Sequence, residues 1–400
     1  SAQWLPQSST VAAGGDNLPQ TAAESSTRLM TRPGVDDTSP PEPTAGLPAL
    51  ADDPSEAGRD DGSPRLITLY LLEQHTLAGI TGDRFVISRH GETLREILIR
   101  QVDQIVVFGN ITLTTPFLDR CLTEGIPVYL LSAHGRYFGL VDNFDNASLL
   151  LLREQLARAA DPTFSLLVAK ELLRGKIHNG RTLLRRLSRR RASPELEEGI
   201  LATGKILERI PGAPNGATLL GYEGTAARTL FAAYGAMVDP AWGFRGRNRQ
   251  PPKDPINAML SLGYTMLFQN TLSLIRIAGL HPHAGFLHAM TPGHPALASD
   301  LMEEHRAGVV DALVLDIALN GPLSPADFVL PRDAGDACLL TPDARKLFLR
   351  LLEARLLTRM EHPDHGRPVE RRRIIESQAR RLVAAIRAND PKLFKAWLQR

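Results

Sequence analysis

Cysteine is almost absent: Cys121 and Cys338 are the only two in 400 residues. Two thiols cannot build a disulfide framework, a four-cysteine zinc site or an iron–sulfur cluster, and such usage suits a reducing compartment. Long apolar runs are also missing. No stretch approaches the roughly 18 uninterrupted apolar residues of a membrane span, and the first residues lack the charged, apolar, small-residue order of a secretory signal. The expectation is a soluble, unexported, cytoplasmic protein. No fixed-period repeat recurs, which excludes a solenoid.

Net charge is nearly absent as well, at +2 from 46 Lys+Arg and 44 Asp+Glu, but the average hides two unlike parts. Residues 1–63 hold ten acids against three bases, a net of −7, and the remainder therefore carries +9. Pro, Gly, Ser, Thr, Ala and Asp dominate that first segment, with no sustained apolar period. It cannot bury enough surface to offset its chain entropy and reads as a disordered acidic linker or tail.

From Arg65 the texture changes. LITLYLL, RFVISRH, QIVVFGN, PVYLLSA and RYFGLV are short β-rich runs separated by Gly-containing turn signals. Their spacing of about 8–12 residues predicts a compact antiparallel β domain over 64–145. Beyond it Leu, Ala, Arg and Glu recur with helical period, predicting a larger all-helical domain over 146–400. Strands and helices do not alternate, so the fold class is α+β.

Three clusters could carry chemistry. GLHPHAGFLHAMTPGHPALASDLMEEHR, residues 279–306, concentrates His281, His283, His288, His294, His305, Asp300, Glu303 and Glu304. Asp300 and Glu303 lie three apart on an expected helix and share a face. Imidazole together with carboxylates suits Mg2+ or Mn2+ better than a soft ion, although acids also favour the first turn of any helix. HExxH is absent, and the other histidines read as hydrogen-bonded loop residues. RGKIHNGRTLLRRLSRRR, residues 174–191, has eight bases and no acid; WGFRGRNRQPPKDP, residues 242–255, sets bases beside Trp242 and Phe244. Arg181, Arg185 and Arg186 in the first, with Arg245, Arg247, Arg249 and Lys253 in the second, are candidate contacts to nucleic-acid phosphates.

From about Arg65 to its end the chain resembles the CRISPR-associated spacer-acquisition integrases, the universal endonuclease family of the adaptation module. The resemblance rests on FGNITLTTPFLDRCLTEGIPVYLLSAHGRYFG, LLGYEGTAAR, FRGRNRQPPKDPINAMLSLGY, and AGLHPHAGFLH with LASDLMEEHR, in that order; IIESQARRLVAAI is similar to the family's last helix. It implies that Glu223, His288 and Glu303 bind a divalent metal, Mg2+ or Mn2+, with Asp300 lining the same catalytic site. It further implies joining of double-stranded DNA fragments to a repeat array by 3′-OH transesterification. The implied assembly is a homodimer formed through the β domain, bound to a small second CRISPR-associated protein in a prokaryotic cytoplasm. Some relatives carry a fused reverse transcriptase or iron–sulfur nuclease upstream, and the acidic segment reads as a linker from such a fusion. A DNA-binding scaffold with a decayed site and a branched-DNA repair nuclease are the alternatives.

Overall fold

A computed structural model describes residues 68–143, 149–248, 251–333, 335–362 and 366–399. The acidic segment 1–63 and Arg249 lie outside the described residues. Eight strands come first: β1 (Thr68–Leu71), β2 (Leu77–Thr81), β3 (Arg84–Arg89), β4 (Glu92–Leu98), β5 (Gln104–Phe108), β6 (Thr112–Leu113), β7 (Val128–Leu131) and β8 (Tyr137–Val141), with helix α1 (Thr115–Thr123) between β6 and β7. Helices follow: α2 (Leu149–Ala160), α3 (Pro162–Arg190), α4 (Pro194–Arg209), α5 (Gly216–Met237), α6 (Pro255–Ile277), α7 (Ala296–Arg306), α8 (Ala312–Asn320), α9 (Pro342–Leu357) and α10 (Arg371–Ala388). The α+β order is the one expected.

Strand pairing departs from the antiparallel expectation. One sheet runs β1-β5-β7-β8 and the other β4-β3-β2-β6. β5 is parallel to both β1 and β7, and β6 is parallel to β2. The turn signals at Gly82, Gly91 and Gly135 do close antiparallel hairpins, β2/β3, β3/β4 and β7/β8. The signal at Gly109-Asn110 leads through β6 into α1 instead, whose length is the crossover that a parallel neighbour requires. The helical part is not purely helical either: β9 (Phe328–Val329) pairs with β10 (Leu339–Leu340), and β11 (Arg359–Glu361) with β12 (Pro368–Glu370). These short hairpins fall in Pro- and Gly-containing connections between helices.

The uninterrupted run QIVVF of β5 is buried along its whole length, as a central strand covered on both faces must be. Its alternation divides two cores. Ile105 and Val107 face a cluster of both sheets and α1, with Phe85 and Phe117 ring centroids 4.7 Å apart. Val106 and Phe108 join the larger helical core. Polar pairs mark the same seam, where Gln104 donates to Asn270 of α6 at 3.1 Å and accepts from Ser273 at 2.6 Å.

Helix starts follow local chemistry. Asp161, Ser193, Asp254 and Thr341 each cap with a side-chain oxygen and precede a proline. Proline fits there because its missing N–H has no partner in a first turn.

The sheet is also tied to the helices through Glu353 of α9. Arg372 of α10, buried, donates to both of its oxygens at 2.7 and 2.8 Å, and the Tyr70 hydroxyl of β1 donates at 3.3 Å. Removing one partner of a buried pair strands the other. Glu353→Ala is expected to lower unfolding free energy by about 3–5 kcal/mol in a denaturant titration, and Glu353→Met with Arg372→Met to recover at least half of that. A loss below about 1 kcal/mol for the single variant contradicts the tie.

Candidate metal and nucleic-acid site

Helix α7 is the scaffold of the site. ALASDLMEE is buried at every residue, so Asp300, Glu303 and Glu304 are all withdrawn from solvent. None lies in the first turn, which removes the simple helix-dipole explanation of these acids. A buried carboxylate must be supplied with donors or cations, and each of the three is supplied differently.

Asp300 is solvated by backbone. Phe286, Leu287 and His288 donate their N–H groups to it at 2.6, 3.0 and 2.9 Å. The His288 Nδ1 lies 2.6 Å from Asp300 Oδ1. This clamp fixes the loop GFLH against α7. Gly285 is needed for the approach, since a Cβ there would stand 2.8 Å from Asp300 Oδ2 and from the Ala296 Cβ. The bond to Asp300 raises the His288 imidazole above its ordinary range, against burial and with help from the charges of Asp300 and Glu303. It also commits Nδ1 and leaves Nε2 as the ring nitrogen free of that bond, an arrangement like that of carboxylate-oriented histidines in metal sites.

Glu303 is neutralised by cations. Lys176 of α3 places its Nζ 2.7 Å from Glu303 Oε2 and in contact with Glu223 of α5. Arg306 lies 3.1 Å from Glu303 Oε1 and stacks over the Tyr264 ring at 4.8 Å. Burial pushes the Glu303 carboxyl upward, but Arg306 and Lys176 outweigh it and hold the group below the usual carboxylate range. Just beyond, a π-helical turn at Ala307–Asp311 brings Asp311 to the hydroxyls of Tyr234 and Tyr264.

Glu304 is covered by the C-terminal segment, whose Trp397 N–H donates to it at 2.7 Å. Asn179 of α3 donates to the carbonyls of Glu304 and Trp397 at 2.7 and 3.0 Å. Gly175 permits this packing, because a Cβ there would come within 2.9 Å of the Glu304 Cβ.

Glu223, Glu303, His288 and Asp300 are thus gathered at one place from α5, α7 and the loop before α7. Helix α5 begins at Gly216, so Glu223 sits two turns inside it rather than at its N-terminus. Among the described residues no group of three or more His, Cys, Asp or Glu side chains stands ready to hold a metal. In this structure the Lys176 ammonium bridges Glu223 and Glu303. The donor set nevertheless fits a hard or borderline divalent ion, with two carboxylates and one imidazole nitrogen.

Sequence reasoning does not single out Lys176 or Arg306; its signals for them are the place of Lys176 in the basic run 174–191 and the spacing of Glu303 and Arg306 on one helix. The remaining histidines play local roles: His294 meets Ser299 at 3.1 Å, and His305 stacks on Trp397 at 5.3 Å.

The basic candidates divide. Arg181 donates to the Ile200 carbonyl at 2.9 Å, Arg247 to Asn257 at 2.8 Å, and Lys253 to the Asp336 carbonyl at 2.9 Å. These three spend donors inside the fold. Arg186 is half-buried, near enough to Arg371 and Arg355 for their charges to repel. Arg185 and Arg245 are exposed.

The Asp300 clamp makes a direct prediction. Asp300→Ala, which strands three N–H groups, is expected to cost about 3–5 kcal/mol in chemical denaturation, and His288→Ala clearly less because that side chain is 27% exposed. Equal losses contradict the clamp.

Residues 69–354 match the family described as CRISPR associated protein Cas1. A Cas4/endonuclease Cas1 fusion of Rhodospirillum rubrum is 36% identical over 313 residues, 77% of this chain and 53% of its own length. This chain therefore spans about half of that relative. An endonuclease Cas1 of Thermus thermophilus is 35% identical over 321 residues, 80% of this chain and 96% of its own. Among solved structures, a Cas6-RT-Cas1–Cas2 complex matches with a TM-score of 0.73 at 26% identity, covering 86% of this chain and 37% of that one. A casposase bound to integration product matches with a TM-score of 0.71 at 22% identity, covering 83% and 95%, a likeness of fold. Matched over most of its length by both family and relatives, the chain belongs to the CRISPR-associated protein Cas1 family.

Proposed function

We propose that this protein is a metal-dependent DNA integrase and endonuclease of CRISPR adaptation, joining short duplex fragments to a repeat array. The observation that supports this most is the convergence of Glu223, His288 and Glu303 on one site, with Asp300 orienting the imidazole. Glu223 and Glu303 would hold Mg2+ or Mn2+ through carboxylate oxygens, and His288 through Nε2. When bound, such an ion supplies charge stabilisation to the oxygens of a phosphodiester under attack.

The chain's own groups do the rest. Asp300 keeps the His288 ring in one orientation and tautomer. Arg306, half-buried, holds Glu303 in place and ionised. In the joining step a fragment's 3′-hydroxyl oxygen forms a bond to a target phosphorus. The bond from that phosphorus to the target's own 3′ oxygen breaks, and that oxygen leaves with a proton. One phosphodiester forms as one is lost, so no nucleotide is consumed. Water in place of the 3′-hydroxyl gives cleavage.

Arg185 and Arg245, both exposed, are the basic candidates best placed to meet backbone phosphates; Arg181, Arg186, Arg247, Arg249 and Lys253 are assigned there by sequence alone. The further reading is a β domain over 64–145 that forms a homodimer and a helical catalytic domain over 146–400. Its partners are double-stranded DNA and a small Cas2-like protein, in the cytoplasm of a prokaryote. The relatives' Cas4 fusion and the Cas6-RT-Cas1 assembly support a longer protein with a nuclease or reverse transcriptase upstream. No helix among the described residues is long and apolar enough to cross a membrane.

A strand-transfer assay with a labelled fragment, repeat DNA and Mn2+ or Mg2+ tests this. Glu223→Ala, His288→Ala and Glu303→Ala should each lower joining by about 100-fold or more, and Asp300→Asn by about 10–100-fold. Full joining by any of the three alanine variants overturns the metal-site assignment. Cutting without joining, even with the small partner present, favours the repair-nuclease reading; neither activity from the intact protein favours the scaffold.

A further inference from the structure

We propose that Lys176 is a resident cation of the site, displaced by the divalent ion and received by DNA phosphate, so that metal and DNA bind cooperatively. This rests on the metal-site reading above and concerns how that site is regulated.

Four groups are in direct ionic contact: Lys176 with Glu223 and Glu303, and Arg306 with Glu303. Two cations and two carboxylates cancel. Among the described residues Glu223 has no other ion pair, so its partner in the absence of metal is Lys176. Two further acids stand nearby without a direct Lys or Arg contact: Asp300, held by backbone N–H groups and His288, and Asp311, held by two tyrosine hydroxyls and within the field of Arg306 and Lys176.

Position excludes a bystander role. The Lys176 side chain is only 10% exposed and the Glu303 side chain 2%, so these charges are poorly screened by solvent. The ammonium bridges the two carboxylates that the ion would have to share. A divalent ion added with Lys176 in place would bring a third cation to two carboxylates, so the ammonium and the ion repel each other at the position they would share. Anionic phosphodiesters of the fragment end and the target would offer the displaced ammonium a new partner. Lysine suits the exchange because its charge sits on a flexible four-carbon stem; it can leave the carboxylates and follow a phosphate oxygen. Arg306, fixed over Tyr264 and 18% exposed, stays with Glu303.

This arrangement keeps the site intact while no ion is bound and loads it when substrate arrives. By linkage, whatever factor DNA adds to metal affinity, metal adds to DNA affinity.

Mn2+ binding to the full chain, read from the electron paramagnetic resonance signal of free Mn2+, tests the proposal without activity. Titrations are made with and without a short duplex bearing free 3′-hydroxyl ends, and with Glu223→Gln plus the same duplex as the baseline for ion held by DNA. The intact protein should bind Mn2+ weakly alone and about tenfold or more tightly with duplex. Lys176→Met, which keeps the aliphatic stem, should tighten DNA-free binding by a similar factor and shrink the gain from duplex, whereas Lys176→Arg should keep the gain. Equal Mn2+ affinity of the intact protein with and without duplex overturns the coupling, whether or not the variants fold. Unchanged DNA-free affinity in a folded Lys176→Met overturns the role of Lys176. If Glu223→Gln and Glu303→Gln bind Mn2+ as the intact protein does, the metal-site reading itself fails.

Discussion

A helix that is buried on every side and carries three carboxylates has to be given three sets of partners. Much of the helical part is arranged to provide them. Asp300 draws in the backbone of residues 286–288, Glu303 draws Lys176 and Arg306, and Glu304 takes the C-terminal segment through Trp397. Leaving any of these carboxylates unpartnered would cost several kcal/mol against a stability on the order of 10 kcal/mol. The constraint is therefore strong enough to position a loop, a lysine on α3 and the chain end.

The proposed function rests on how differently the three are satisfied. Backbone N–H groups are fixed donors, so Asp300 is a permanent orienting group for His288. A lysine ammonium is a movable one, so Glu303 and Glu223 can exchange their partner for another cation. Glu304, locked to the C-terminal segment, is structural. Three acids that look alike in DLMEE are separated into three roles by their surroundings.

Much of this was legible in the sequence. The helical periods could be read, and the grouping of Glu223, His288, Asp300 and Glu303 carried over from the resemblance. The parallel pairing could not, because turn residues announce a reversal without saying what lies beyond it. QIVVF, apolar at four of its five positions, was the available sign of a strand covered on both faces. Lys176 escaped for a different reason. In a run of eight bases every side chain reads as a solvated or phosphate-facing charge, and only tertiary contact separates buried Lys176 from exposed Arg185. Arg181, Arg247 and Lys253 illustrate the same limit, since each spends its donors on the fold.

The central claim is that Glu223, His288 and Glu303 form one divalent-ion site from which Lys176 withdraws. Anomalous scattering at the manganese edge, from crystals of the protein grown with Mn2+ and a duplex, addresses it most directly. The expected result is a single peak bound by Glu223, His288 Nε2 and Glu303, with the Lys176 ammonium moved to a phosphate oxygen. A peak on other residues, with Lys176 still bridging the two glutamates, contradicts it.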